Sequence, residues 1–237
     1  MRQRRVTGIE ERLAPYADLV LGGDGEPPPP QIENPATGGH ARWYERTSPR
    51  FLPLRGYEYV YIELGCGRGK FINTLAAEDP ESLYIGVEGC KTIVIRGLEK
   101  TRAAGLKNVR YIDNFINDPV AAFGEDALSG LFLNFSDPWP KERHADRRLT
   151  APAKAEGYFR ALKSGGFVSL KTDGEAFFKY SLATFTSAGF AIAEPSPCIL
   201  SPRLADIAER AAATPTEYEL KFRAAGLPVF RFTAVKK

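Results

Sequence analysis

The residues best placed to do chemistry are acids and amides at the ends of apolar runs. Glu63 closes "YEYVYIEL", Glu88 closes "SLYIGVE", Asn114 follows "VRYID", Asp137 follows "LFLNFS", and Asp173 follows "FVSLKT". One such acid is expected by chance. Five of them, each at the end of an apolar run, point to one shared cleft. The fourth end is the most heavily furnished. "LNFSDPWPKERHADRRL" (133–149) joins a carboxylate, an indole between two prolines, and the cations Lys141, Arg143, Arg147 and Arg148, with Glu142 and Asp146 only partly offsetting them. A strand-to-helix loop needs only a turn and a cap. A carboxylate followed by fixed cations can face a reacting group that gains positive charge and then grip phosphates leading away from it.

The elements that must position these residues are regular from Tyr57 onward. The aromatic and β-branched runs "YEYVYIEL", "SLYIGVE", "LKNVRYID", "LSGLFLNF" and "FVSLKT" read as strands. Between them, "GKFINTLAAEDP" and "CKTIVIRGLEKTRAAG" carry apolar residues at helical spacing. "TAPAKAEGYFRALKSGG" reads as a helix closed by Gly165 and Gly166, and "GEAFFKYSLATFTSAG" as one ending at Gly189. The tail offers "FAIAEP", a polar stretch, a helix in "TEYELKFRAAG" and a last strand in "LPVFRFTAV". Strands alternating with helices predict an α/β fold, a mostly parallel sheet with helices on both faces. Ligands of such sheets bind at the carboxyl ends of the strands.

The loop after the first strand narrows the ligand. Gly65, Gly67 and Gly69 in "IELGCGRGKF" let the backbone turn and approach a ligand closely. A dinucleotide fingerprint needs glycine where Lys70 stands, and the phosphate-loop spacing fails as well. G-x-G-x-G with Glu63 two residues before it is the form seen in S-adenosylmethionine (AdoMet) enzymes. A carboxylate there suits a cationic amino group and would repel a diphosphate. Glu88 ends the next strand, where ribose hydroxyls are gripped. Asp113 or Asn114, after the third strand, is expected at an adenine edge.

Bulk properties exclude several classes. Thirty-two Lys and Arg against 29 acids give +3, so any nucleic-acid signal must come from local clustering. Cys66, Cys90 and Cys198 form neither a disulfide framework nor a zinc pattern, which fits a reducing cytoplasm. No apolar run approaches the roughly 20 residues of a membrane span. "MRQRR" lacks the apolar stretch of a signal peptide. His40 and His144 are too few for metal or triad chemistry, so no metal is expected.

Residues 1–56 read as an N-terminal extension, partly irregular, with a Pro/Gly-rich stretch over 22–39. "GIEERLAPYADLVL" can hold a short helix. "ARWYERTSPRFLPL" reads either as a packed extension or as an arm contacting a polymer.

"SDPWPKERHADRRL" resembles the signature of the bacterial tRNA (guanine-N7-)-methyltransferases, and "IELGCGRGKF", "YIGVEGCK", "LKTD" and "TEYELKF" follow in the family's order. The similarity covers about residues 57–237. It implies a Rossmann-like class I methyltransferase domain over 57–237, with a seven-stranded sheet. The implied reaction moves a methyl group from AdoMet to N7 of a guanine in the variable loop of tRNA. By position, the resemblance gives Glu63, Gly65, Gly67, Glu88 and Asp137 to AdoMet, with Asp137 also at the catalytic position. It gives Lys141, Asp173, Thr216 and Glu219 to the substrate, and Arg143, His144, Arg147 and Arg148 to RNA contact. One position departs from the family pattern: Phe115 stands where an Asp is usual, and the expected contact shifts to Asn114. The implied protein is cytoplasmic, monomeric or homodimeric, with tRNA as partner and no membrane association.

The chemistry agrees with that reading. Guanine N7 carries a lone pair and no proton, so its methylation needs no base at that atom. The task is alignment and stabilisation of charge moving onto the ring. Trp139 either stacks a flipped base or braces its loop, and bracing is the favoured reading. Three alternatives remain. An AdoMet enzyme acting on another RNA base or a protein side chain is the first. A non-enzymatic RNA-binding subunit on the same fold is marked by lost glycines or acids. A nicotinamide dehydrogenase is opposed by Lys70.

Overall fold

The computed structural model describes residues 8–21, 57–193 and 200–237. The Pro-rich stretch, "ARWYERTSPRFLPL", His40 and Cys198 lie outside the described residues.

Seven strands form one sheet: β1 (Val60–Leu64), β2 (Leu83–Val87), β3 (Val109–Ile112), β4 (Leu128–Asn134), β5 (Leu162–Thr172), β6 (Ala191–Ala193) and β7 (Phe230–Val235). Their order is β3-β2-β1-β4-β5-β7-β6. The first five run parallel, and β7 runs antiparallel to β5 and β6. β1, β2 and β4 are buried at every position, as strands covered on both faces must be. Alternate side chains feed two cores. Ile62, Ile85, Leu131 and Leu133 enter one, with Tyr158 and Phe185. Tyr61, Tyr84, Tyr111 and Phe132 enter the other, with Phe71, Leu75, Val94 and Leu98.

The helices are α1 (Ile9–Leu13), α2 (Lys70–Glu78), α3 (Lys91–Ala103), α4 (Pro119–Phe123), α5 (Pro152–Ala161), α6 (Glu175–Ser187), α7 (Pro202–Ala213) and α8 (Glu217–Ala224). α1 packs on α3, and the turn after it reaches the β3 edge. Val20 bridges Tyr111, and the Leu21 N–H donates to the Tyr111 carbonyl at 2.7 Å. Part of the N-terminal extension is thus built onto the sheet.

Two local expectations need correction. α5 ends at Ala161, not at the diglycine, and β5 begins at once with Leu162, which is fully buried and pairs with Leu128. Burial of Leu162 ends the helix. Gly165, at φ +78°, instead makes an irregularity inside the strand. The stretch read as polar holds α7. Ser201 caps it, Pro202 sits in its first turn, and Leu204, Ile207, Ala208 and Ala211 face inward at helical spacing.

Candidate functional site

The tips of β1 to β4 converge on two adjoining cavities. One, of about 650 Å³, is lined by Glu88, Asn114, Ser136, Asp137, Trp139 and Arg147, among others. The other, of about 730 Å³, is lined by Glu63, Gly67, Lys70, Thr216 and Tyr218, among others. Gly65, Asn134 and Phe135 stand in both walls, so the β4 tip divides the cavities.

The glycine loop is shaped by close packing. Gly69 sits at φ +71°, and a Cβ there would lie 2.5 Å from the Tyr111 hydroxyl and 2.9 Å from Gly97 Cα. Any side chain would force the loop off α3. The loop is also held by an acid from the next strand. Glu88 Oε2 accepts from the Gly67 N–H at 3.1 Å, and Oε1 accepts from the Cys90 N–H at 2.9 Å. Glu88 therefore fixes both loops while its carboxylate lines the first cavity. Cys66 is buried beneath the loop, and burial, with Glu63 and Glu88 nearby, pushes its thiol well above the usual range. It is a packing residue, not a nucleophile.

Glu63 is 2% exposed. Its Oε1 accepts from Asn134 Nδ2 at 2.9 Å, while its Oε2 is buried without a hydrogen-bond partner among the described residues. Burial pushes its carboxyl up to about 8, against the opposing pull of the Asn134 bond and Lys171. A buried, half-satisfied carboxylate on a ligand cavity is costly by itself. A cationic ligand group at Oε2 would relieve that cost, which fits the amino group of AdoMet.

Asn114 lines the first cavity, and its carbonyl oxygen accepts from the Phe115 N–H at 2.8 Å. Its amide hydrogens are left for a ligand. Asp113 instead pairs with Lys91 at 3.4 Å, and Lys91 also reaches Glu10 at 2.7 Å. Phe115 is 64% exposed at the cavity wall, so no acid stands there.

The loop after β4 is strained at two bulky residues, Phe135 at φ +51° and Trp139 at φ +41°. Asp137 is exposed, and its Oδ1 accepts from the Trp139 N–H at 3.3 Å. The second oxygen is left open. Arg148 braces the turn: its Nε donates to the Pro138 carbonyl at 3.1 Å and its Nη2 to the Trp139 carbonyl at 3.2 Å. Its guanidinium stacks on Tyr180 at 4.3 Å. Arg147 lies 5.2 Å from the centre of the Trp139 ring, with His144 edge-on at 5.6 Å. Lys141 and Arg143 are exposed on the turn Glu142–Arg147 and its lead-in. The expected RNA-contact residues thus divide into a brace (Arg148), partners of the indole (Arg147, His144) and an open cation (Arg143).

The far wall comes from β5 and α8. Thr216 caps α8, accepting from the Glu219 N–H at 2.9 Å and keeping its own proton free to donate. Asp173 accepts from the Tyr218 hydroxyl at 3.1 Å, and Tyr218 packs on Phe135 at 5.1 Å. Glu219 is turned inward, 1% exposed; it closes the capping box with Thr216 and pairs with Lys171 at 3.2 Å and with Arg223. Its place inside the fold positions Thr216 and leaves no open face toward the cleft.

Sequence reasoning overlooked four residues. Lys171, in mid-strand, is 1% exposed and donates to the Thr214 carbonyl at 2.7 Å. Burial lowers its ammonium, against the attraction of Glu219. Its register partner on β4 is Asn134, the partner of Glu63. Phe135 and Tyr218 complete the set. No spacing rule marks them, although the T-x-x-E of Thr216 and Glu219 is itself a capping-box signal.

A profile of a family described as "putative methyltransferase" matches residues 57–232. A tRNA (guanine-N(7)-)-methyltransferase of Geobacillus kaustophilus is 33% identical over 100% of this chain and 97% of its own. One from Staphylococcus saprophyticus is 35% identical over 94% of this chain and 97% of its own. The 16S rRNA methyltransferase KamB superposes with a TM-score of 0.56 at 15% identity, over 80% of this chain and 94% of that one. The aminoglycoside resistance methyltransferase NpmB1 gives 0.52 at 16%, over 82% and 93%. Those two likenesses show the class I methyltransferase fold. The full-length matches show more: the chain belongs to the bacterial tRNA (guanine-N(7)-)-methyltransferase family.

Proposed function

We propose that this protein transfers a methyl group from AdoMet to N7 of a guanine in the variable loop of tRNA. The carrying observation is the match over the whole chain to relatives named for that reaction. The cleft offers residues suited to each part. AdoMet supplies an electrophilic methyl group on a sulfonium. Glu63 holds its amino group, Glu88 its ribose, and Asn114 its adenine, with Gly65 and Gly67 giving the close backbone.

Asp137 lines the first cavity, just beyond the β4 tip that divides the two, with one oxygen open. Charge leaves sulfur and reaches the guanine ring as the methyl moves. A carboxylate there accepts from the guanine N–H groups and stabilises the growing cation. Thr216 donates from the far wall, and Asp173 acts through Tyr218. Lys141 and Arg143 carry the adjoining phosphates. Trp139, gripped by Arg147 and braced by Arg148, keeps Asp137 aimed.

The test is incubation of the protein with methyl-labelled AdoMet and unmodified tRNA. Label is expected in the RNA. An absence of label in RNA, or label in protein alone, refutes the proposal.

A further inference from the structure

The second cavity holds more positive charge than its cofactor contacts use. Arg68, Lys70 and Lys221 line it, and none has a carboxylate partner among the described residues. Several cations elsewhere are paired with carboxylates, Lys91 with Glu10, Arg160 with Glu125, Lys179 with Glu175 and Lys236 with Asp126, while Lys141 and Arg143, like these three, have no such partner among the described residues. Within the cavity, Glu217 is already paired with Lys100, and Glu63 is bonded to Asn134. The three cations come from two walls, Arg68 and Lys70 beside the glycine loop and Lys221 from α8. The carboxylate of a bound AdoMet carries one charge and can satisfy only one of them.

Two aromatic rings, Phe135 at the β4 tip and Tyr218 on α8, line the same cavity. Phe135 and Tyr218 pack at 5.1 Å, and Tyr218 is 47% exposed. Unpaired cations around exposed aromatic rings make the usual surface for single-stranded nucleic acid, with phosphates on the cations and bases on the rings. The segment that carries the exposed Lys141 and Arg143 also supplies Trp139, Asp146 and Arg147 to the wall of the first cavity.

We propose that Arg68, Lys70 and Lys221 form a second phosphate-binding rim for the substrate RNA, across the β4 tip from the 141–148 segment. A strand crossing that tip has its backbone held on both sides of the nucleotide presented to Asp137. A base taken out of its stack must be held against re-stacking, and grips on both flanking phosphates do that. The inference rests on RNA being the substrate.

The test uses the full chain and an unmodified tRNA transcript, with affinity measured by fluorescence anisotropy at several salt concentrations. The probes are R68A/K70A/K221A, the single charge reversal K221E, and AdoMet binding by calorimetry. The triple variant is expected to bind tRNA at least about tenfold more weakly, and its salt slope to fall by about one per cation removed. K221E is expected to weaken tRNA binding with its melting temperature unchanged. AdoMet affinity is expected to fall by no more than about tenfold, one carboxylate contact being the most at stake. Unchanged tRNA affinity and slope overturn the proposal. So does a large loss of AdoMet affinity with an unchanged RNA slope, which assigns the cations to the cofactor carboxylate. Failure of the underlying functional reading shows separately, as no methyl transfer to tRNA by the unsubstituted protein.

Discussion

Binding of AdoMet should expel a proton from Glu63. Burial raises that carboxyl from 4.5 to about 8, against the opposing pull of the Asn134 bond and Lys171. In the unliganded protein at pH 6.5 it therefore holds its proton. An ammonium group at Oε2 favours the charged form, and the proton leaves. If the ligand returns the carboxyl to its ordinary range, the affinity for AdoMet rises about tenfold per pH unit between about pH 5 and 7.5. Calorimetry at pH 6.5, in two buffers of different ionisation enthalpy, should report close to one proton released per AdoMet. Glu63→Gln should release none and show a flat pH dependence. S-adenosylhomocysteine keeps the amino group without the sulfonium charge, so its release should be the same. The linkage also sets a stability trend. The unliganded folded state binds this proton more tightly than the unfolded chain does. Its contribution is complete below about pH 4.5 and is lost as pH rises to about 8, at about 1.4 kcal/mol per pH unit at most. Glu63→Gln removes that part of the slope. No proton release, with an affinity flat from pH 5.5 to 7.5, would refute the reasoning.

Three other outcomes follow from particular contacts. Lys171→Met leaves Glu219 enclosed beside Arg223 alone and should cost about 3–5 kcal/mol in chemical denaturation. Adding Glu219→Gln should restore most of it, and a single variant as stable as the parent would contradict the enclosed pair. Arg148→Ala frees the Pro138 and Trp139 carbonyls and should cost about 1–3 kcal/mol. It should lower kcat, whereas Arg143→Ala should raise KM for tRNA and reduce its salt dependence with kcat kept. Asp137→Ala should lower kcat about 100-fold or more at saturating AdoMet and tRNA. Its melting temperature should hold, because the carboxylate is exposed and, among the described residues, bonded only to the Trp139 N–H. Parental turnover in that variant would remove Asp137 from the reaction.

The strand tips are legible because buried parallel strands are nearly continuous apolar runs, and the acids and amides that gather at their ends stand out. Glu63, Glu88, Asn114 and Asp137 all line the paired cavities. Residues whose roles depend on distant partners were not legible. Arg148 belongs to a basic run, yet Tyr180 and the Pro138 and Trp139 carbonyls occupy it. Glu219 matches a substrate position, yet Lys171, 48 residues away, holds it inside. Lys171 itself reads as one polar residue in a strand until α8 packs over it. α7 was missed because its inward face leans on alanines, which composition alone does not mark as core. Trp139, for which the sequence favours a brace over a base stack, touches Arg147 and His144 while its carbonyl holds Arg148. Those contacts favour the brace.

The most direct test of the central claim is the position of the methyl group. Unmodified tRNA is incubated with the protein and AdoMet, reduced, and treated with aniline, which cuts the chain where a guanine carries a methyl on N7. The account predicts a single cut in the variable loop, absent without AdoMet and lost with Asp137→Ala. Methyl label in the RNA without scission would contradict it, placing the methyl on another atom.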